Sequence, residues 1–67
     1  MDRKDFGKKI KMARVELDLT QAKLAEKINT KQKNISRYET GASLPSIETL
    51  VKIAKILKKK VGYFFGE

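Results

Sequence analysis

The 67-residue sequence has no cysteine, no histidine and no tryptophan, and it has only one proline and five aromatic residues, two Tyr and three Phe. Without cysteine there is no disulfide, no thiolate zinc site, no iron–sulfur cluster and no thiol nucleophile. Without histidine the commonest general base and metal ligand are gone. No nucleophile has a base beside it and no pair of carboxylates falls in a predicted cleft, so the chain reads as a non-enzyme with no cofactor and no small-molecule ligand. No apolar run approaches the ~20 residues of a membrane span, and none resembles a signal-peptide core, so a cytoplasmic location is expected. No alternating Val/Ile/Thr-rich stretch occurs, which argues against strands. Acid is scarce too: eight Asp and Glu stand against sixteen Lys and Arg, for a net charge of +8. Such an excess points to a polyanionic partner, nucleic acid first. Hydrophobic residues make up 40%, enough for one small core near the lower size limit for independent folding.

What is present recurs at helical spacing. Phe6, Ile10, Ala13 and Leu17 form one stripe of a helix from about residue 3 to 17, with Asp2 as its cap and Lys4, Lys8 and Lys11 on a solvated face. Thr20 caps a second helix, about 20–28, whose Leu24, Ala25 and Ile28 face inward, and Asn29 suits the left-handed residue that ends it. A third helix, about 31–40, has Thr30 as its expected cap and Gly41 just past its end; only Ile35 and Tyr38 face inward. At about 100° per residue, Gln32, Lys33, Ser36, Arg37 and Thr40 share one polar arc of roughly 140°. Ser46, after Pro45, caps a fourth helix, about 46–58, that turns Ile47, Leu50, Ile53, Ala54 and Leu57 to the core. A short fifth helix, about 61–65, holds Tyr63, Phe64 and Phe65. The reading is a single all-α domain, a compact bundle of five helices, with a tight turn between the second and third that fits a helix-turn-helix.

Three blocks sharpen this. Leu19-Thr20-Gln21-Ala22-Lys23-Leu24-Ala25 resembles the LTQxxLA signature of the Cro and phage-repressor helix-turn-helix family, also called the xenobiotic-response-element type. Asn34 to Gly41 resembles its xISRxExG ending, and Pro45 to Leu50 its PSxETL entry to helix four. The blocks align in order without a gap across about residues 5 to 65. The resemblance implies a lambda-repressor-like fold and a sequence-specific regulator of bacterial or phage transcription.

It also implies roles for particular residues. Gln32, Lys33, Ser36 and Arg37 match positions that reach base edges, where Gln suits adenine and Arg or Lys suits guanine. Gln21, Lys31, Asn34 and Thr40 match positions at or near the phosphates. Arg14 and Glu39 match a partly buried ion pair between the first and third helices. Some positions depart from the pattern. Lys23 replaces an acid, which removes half of a capping box. Asn29 and Thr30 replace the Gly and Val of the turn, and Lys59 replaces an apolar residue, which is expected to weaken the anchoring of the fifth helix.

One recognition helix reads too few base pairs to discriminate within a genome, so a homodimer on an inverted repeat of double-stranded DNA is the physical expectation. Val61, Tyr63, Phe64 and Phe65 are the candidate dimer surface. Repression would work by occlusion of a promoter. The competing reading is an antitoxin-like module that binds a partner protein and co-represses with it.

Overall fold

The computed structural model describes all of residues 1–67 and is entirely helical: α1 (Arg3–Glu16), α2 (Gln21–Lys27), α3 (Gln32–Thr40), α4 (Ile47–Leu57) and α5 (Val61–Phe64). The helices are shorter than the sequence ranges because flanking cap residues are not helical. Asp2, Thr20 and Ser46 each hold extended backbone, and their side chains accept from the backbone N–H of Lys4, Lys23 and Thr49. Each such cap satisfies an N–H that the first helical turn leaves unpaired.

The expected cap of α3 is corrected. Lys31 takes the cap position and offers no side-chain bond. Thr30 lies one residue earlier, and its Oγ1 accepts from Asn34 Nδ2 at 2.9 Å. The hydroxyl thus ties the turn to the first turn of α3 through a side chain instead of the backbone.

Twelve residues form one core: Phe6, Ile10 and Ala13 of α1, Leu24, Ala25 and Ile28 at α2, Ile35 of α3, Leu50, Ile53, Ala54 and Leu57 of α4, and Phe64 of α5. Two stripe residues depart from expectation. Ile47, the first residue of α4, is 73% exposed, and Leu17, the cap that ends α1, is 37% exposed. Both lie where a helix end carries the side chain past its neighbours. Helix α3 packs on α1 and α2, while α5 packs on α1 and α4.

The anchoring of α5 reverses another expectation. Lys59 does not weaken it. Its ammonium lies 3.3 Å from Glu16 and 4.8 Å from the centroid of the Tyr63 ring, so one side chain links α1 to α5 by an ion pair and a cation–π contact. Phe64 is buried against Phe6, with ring centroids 6.2 Å apart. It is therefore a core residue and drops out of the candidate dimer surface. Val61 and Tyr63 are half-buried against the same core, and Phe65 is 43% exposed with its ring 5.3 Å from Phe6.

Three residues other than glycine hold positive φ: Asp18, Asn29 and Lys58. Asn tolerates this conformation, but the Cβ of a lysine is crowded there. Lys58 ends α4 at φ 60°, is exposed, and forms no ion pair. Lys58→Gly should relieve about 1 kcal/mol of crowding and lose part of that to the greater freedom of an unfolded glycine. A thermal melt is expected to rise by about 2–5 °C; an unchanged or lower melting temperature would reject the crowding argument.

Candidate nucleic-acid interface

The polar arc of α3 is the surface that the core leaves outside. Lys31, Gln32, Lys33, Arg37 and Thr40 are exposed, and Asn34 and Ser36 are half-buried. No carboxylate pairs with Lys31, Lys33 or Arg37 in any ion pair of the molecule. Their charge stays available to an anion from outside.

The other side of α3 is held by a buried ion pair. Glu39 Oε2 accepts from Arg14 Nε at 2.6 Å, and Glu39 Oε1 accepts from Arg14 Nη2 at 3.1 Å. The remaining arm of Arg14 donates from Nη1 to the carbonyl of Leu19 at 2.6 Å, at the entry to α2. The two-point contact fixes the planar guanidinium against the carboxylate. One arginine therefore ties α1 to α3 and to the start of α2.

The network continues to the surface. Glu39 Oε1 also accepts from Gln21 Nε2 at 3.0 Å. An ionised carboxylate can only accept, so the Gln21 amide must turn its nitrogen inward and its oxygen outward. That oxygen meets Gln32 Nε2 in a long, weak bond of 3.5 Å. Gln32 keeps its own oxygen and a second N–H unengaged, the acceptor and donor that a bidentate contact with adenine N6 and N7 requires. Gln21 and Gln32 are thus brought together; the network from Arg14 through Glu39 orients the Gln21 amide, and Gln32 touches it only weakly.

The structure places the remaining candidates differently. Asn34 directs Nδ2 to Thr30 and retains a second N–H and its oxygen. Thr40 donates its hydroxyl proton to the Arg37 carbonyl at 3.2 Å and accepts from the Ala42 N–H at 3.4 Å. Its only proton serves the end of α3, so Thr40 is a helix-terminating residue that would have to release this bond to donate to a phosphate. The part of Glu39 in orienting Gln21 is not deducible from spacing. Its signals in the sequence are that Glu39 is the one acid of α3 and that it matches the family's ion pair with Arg14.

The helix-turn-helix family model matches residues 10–64. The chain belongs to the Cro/C1-type helix-turn-helix family of DNA-binding transcriptional regulators. Among its relatives, the HTH-type transcriptional regulator ImmR of Bacillus subtilis is 34% identical over 62 residues, which are 92% of this chain and 49% of ImmR. Multiprotein-bridging factor 1 of Candida albicans is 42% identical over 62 residues, 91% of this chain and 41% of that protein. The chain thus spans about half, or less, of the length of these relatives. Among solved structures, the P22 c2 repressor in complex with a synthetic operator superposes with a TM-score of 0.85 at 27% identity, covering 88% of this chain and 89% of that one. In this Cro/C1-type chain no helix is long and apolar enough to cross a membrane.

Proposed function

We propose that the chain binds double-stranded DNA sequence-specifically, with α3 in the major groove, as a homodimeric repressor on an inverted-repeat operator. The observation that carries this reading is the pairing of an exposed, mixed polar face on α3 with a buried network that orients it. A non-specific binder needs only lysines on a surface. A mixed face of amide, hydroxyl and guanidinium groups on a helix held in place by a buried ion pair has a use when base edges are read.

In this reading Gln32, Lys33 and Arg37 address bases, with half-buried Ser36 beside them, and Lys31 and Asn34 hold phosphates; Gln21, whose outward oxygen can only accept, reaches a phosphate through the second N–H of its Nε2. The Cα frame measures 27 × 23 × 21 Å. One copy therefore covers no more than about one helical turn of roughly 34 Å, and two copies on half-sites a turn apart stand side by side. Val61, Tyr63 and Phe65 are the proposed contact between them. Occupancy of an operator overlapping a promoter would exclude polymerase, with no enzymatic step.

Selection from a random duplex library near physiological salt tests the proposal. Enrichment of an inverted repeat with two short half-sites supports it. Binding at low salt with no enrichment leaves only the electrostatic term and favours the antitoxin-like alternative, in which a partner is required. On the selected site, Gln32→Ala is expected to cost about 1–3 kcal/mol and to relax preference at one base pair in each half-site. Lys31→Ala should instead weaken all sequences alike and reduce the salt slope by about one. Quantitative binding across single-base variants and a salt series separates the two behaviours.

A further inference from the structure

The segment that follows α3 has no charge to offer a phosphate. Gly41-Ala42-Ser43-Leu44-Pro45-Ser46 contains no ionisable side chain. Its first backbone N–H groups are already engaged. Gly41 donates to the Tyr38 carbonyl at 3.3 Å, Ala42 to Thr40 Oγ1 at 3.4 Å and Ser43 to the Arg37 carbonyl at 3.2 Å. The Thr40 hydroxyl proton goes to the Arg37 carbonyl as well. The C-terminal end of a helix also carries partial negative charge, which repels an anion. Helix α3 has nine residues, so it is about 13 Å long against a major groove about 12 Å wide. A helix of that length lying in the groove brings both its ends near a phosphate strand. Cations for the far end must come from another part of the chain.

Helix α1 supplies them. Its first turn lies against that end of α3. A Cβ on Gly41 would fall 3.1 Å from the Lys4 backbone nitrogen and 3.2 Å from the Arg3 carbonyl oxygen. Gly7, one turn further on, lies against the Tyr38 and Glu39 carbonyls and so marks the side of α1 that meets α3. At about 100° per residue, Arg3, Lys4, Lys11 and Arg14 fall within about 60° of Gly7, while Asp2, Asp5 and Glu16 fall roughly 140° or more away. The side of α1 beside α3 is therefore basic and free of acid. Glu39, the acid of α3, is buried and bound by Arg14. Arg3 and Lys4 are exposed, and neither is in an ion pair.

We propose that Arg3 and Lys4 hold DNA phosphates at the end of α3 remote from Gln32, so that α1 extends the footprint beyond the helix-turn-helix. The proposal rests on α3 meeting DNA as in the proposed function. A duplex suits these cations better than an acidic protein because they continue the charge of Arg37, which lies one turn before Gly41 and is itself exposed and unpaired. Contacts of this kind fix register and carry no sequence information.

The test compares two double variants. Arg3→Gln with Lys4→Gln removes the proposed contacts. Lys55→Gln with Lys58→Gln removes two exposed, unpaired charges from the end of α4. On a random duplex the α1 variant should lower the slope of log affinity against log salt by about 1.8, at about 0.9 per phosphate, and the α4 variant by much less. On the selected duplex the ranking of single-base variants should not change. Ethylation of phosphates outside each half-site should weaken binding of the original chain and of the α4 variant, but not of the α1 variant. The three thermal melts should coincide.

A lower melt with an unchanged slope would show that Arg3 and Lys4 only offset the α3 dipole, and would overturn the proposal. An equal fall in slope for the two variants would do the same, since net charge and not contact would then be at work. So would an α1 variant that keeps the duplex slope but loses binding to poly-glutamate, which would assign the cations to an acidic protein. If no site is selected, the sequence-specific reading fails, while the slope change on a random duplex still upholds the α1 contact. A chain that binds no duplex at all overturns both.

Discussion

Glu39→Ala should leave the chain without a cooperative melt at physiological temperature. The substitution removes both acceptors of the Arg14 guanidinium, whose side chain is 10% exposed, and leaves that charge buried with only the Leu19 carbonyl as partner. Breaking a buried pair from one side costs about 3–5 kcal/mol. A domain of this size has little more than about 5 kcal/mol of total stability. For a chain of 60–100 residues each kcal/mol moves the midpoint by about 4–8 °C, so a fall of at least about 12 °C is expected by circular dichroism. Loss of operator binding would follow from unfolding. The double variant Arg14→Met with Glu39→Leu separates the cost of the orphaned charge from the worth of the pair. It should recover most of the lost stability, since well-packed apolar replacements of buried ion pairs are often neutral or better. It should nevertheless bind DNA more weakly than the original chain, because Gln21 would lose the carboxylate that orients it. An unchanged midpoint in Glu39→Ala would show that Arg14 reaches solvent easily and that the network does not hold α3.

The elements legible in the sequence are those that local chemistry encodes. Thr20 and Ser46 announce helix starts because a hydroxyl satisfies an exposed N–H. Gly41 announces the end of α3 and is found at φ 85°, a conformation that costs glycine nothing. Phe6, Ile10 and Ala13 face the core because their spacing keeps one side of α1 apolar. Less legible was anything set by two elements meeting. Ile47 has the spacing of a core residue, yet α4 begins before its neighbours can cover it. Lys59 looks like a loss of apolar anchoring until Glu16 and Tyr63 are found on either side of its ammonium. Phe64 looks available to a partner until Phe6 is found beneath it. In the candidate interface, residue types and helical phase located the polar arc of α3. The orientation of Gln21 depends on a carboxylate 18 residues further along, and no spacing rule reaches that far.

Gly7→Ala carries the other large expected effect, and it would pass unnoticed in a reading of α1 alone. Alanine is the better helix former, by about 0.5–1 kcal/mol, so an isolated α1 should gain from the change. In the folded chain a Cβ at this position would lie 2.4 Å from the carbonyl oxygens of both Tyr38 and Glu39. Those are backbone atoms of α3, and no side-chain rotation removes the conflict. Helices α1 and α3 must move apart, and in doing so they stretch the Arg14–Glu39 contact and open the core where α1 packs on α3. The result combines overpacking, typically about 1–3 kcal/mol, with partial loss of a buried ion pair. A net loss of about 3 kcal/mol or more is expected despite the local gain in propensity. The signature is a divergence between two measurements. A peptide spanning α1 should become more helical with Ala at position 7, while the whole chain should melt at least about 10 °C lower. If the proposed function holds, any Gly7→Ala chain that remains folded should bind the selected duplex more weakly, because α3 is displaced relative to α2. Equal stability in the two chains would mean that α3 can shift without loss, and that the close approach at Gly7 does not set its position.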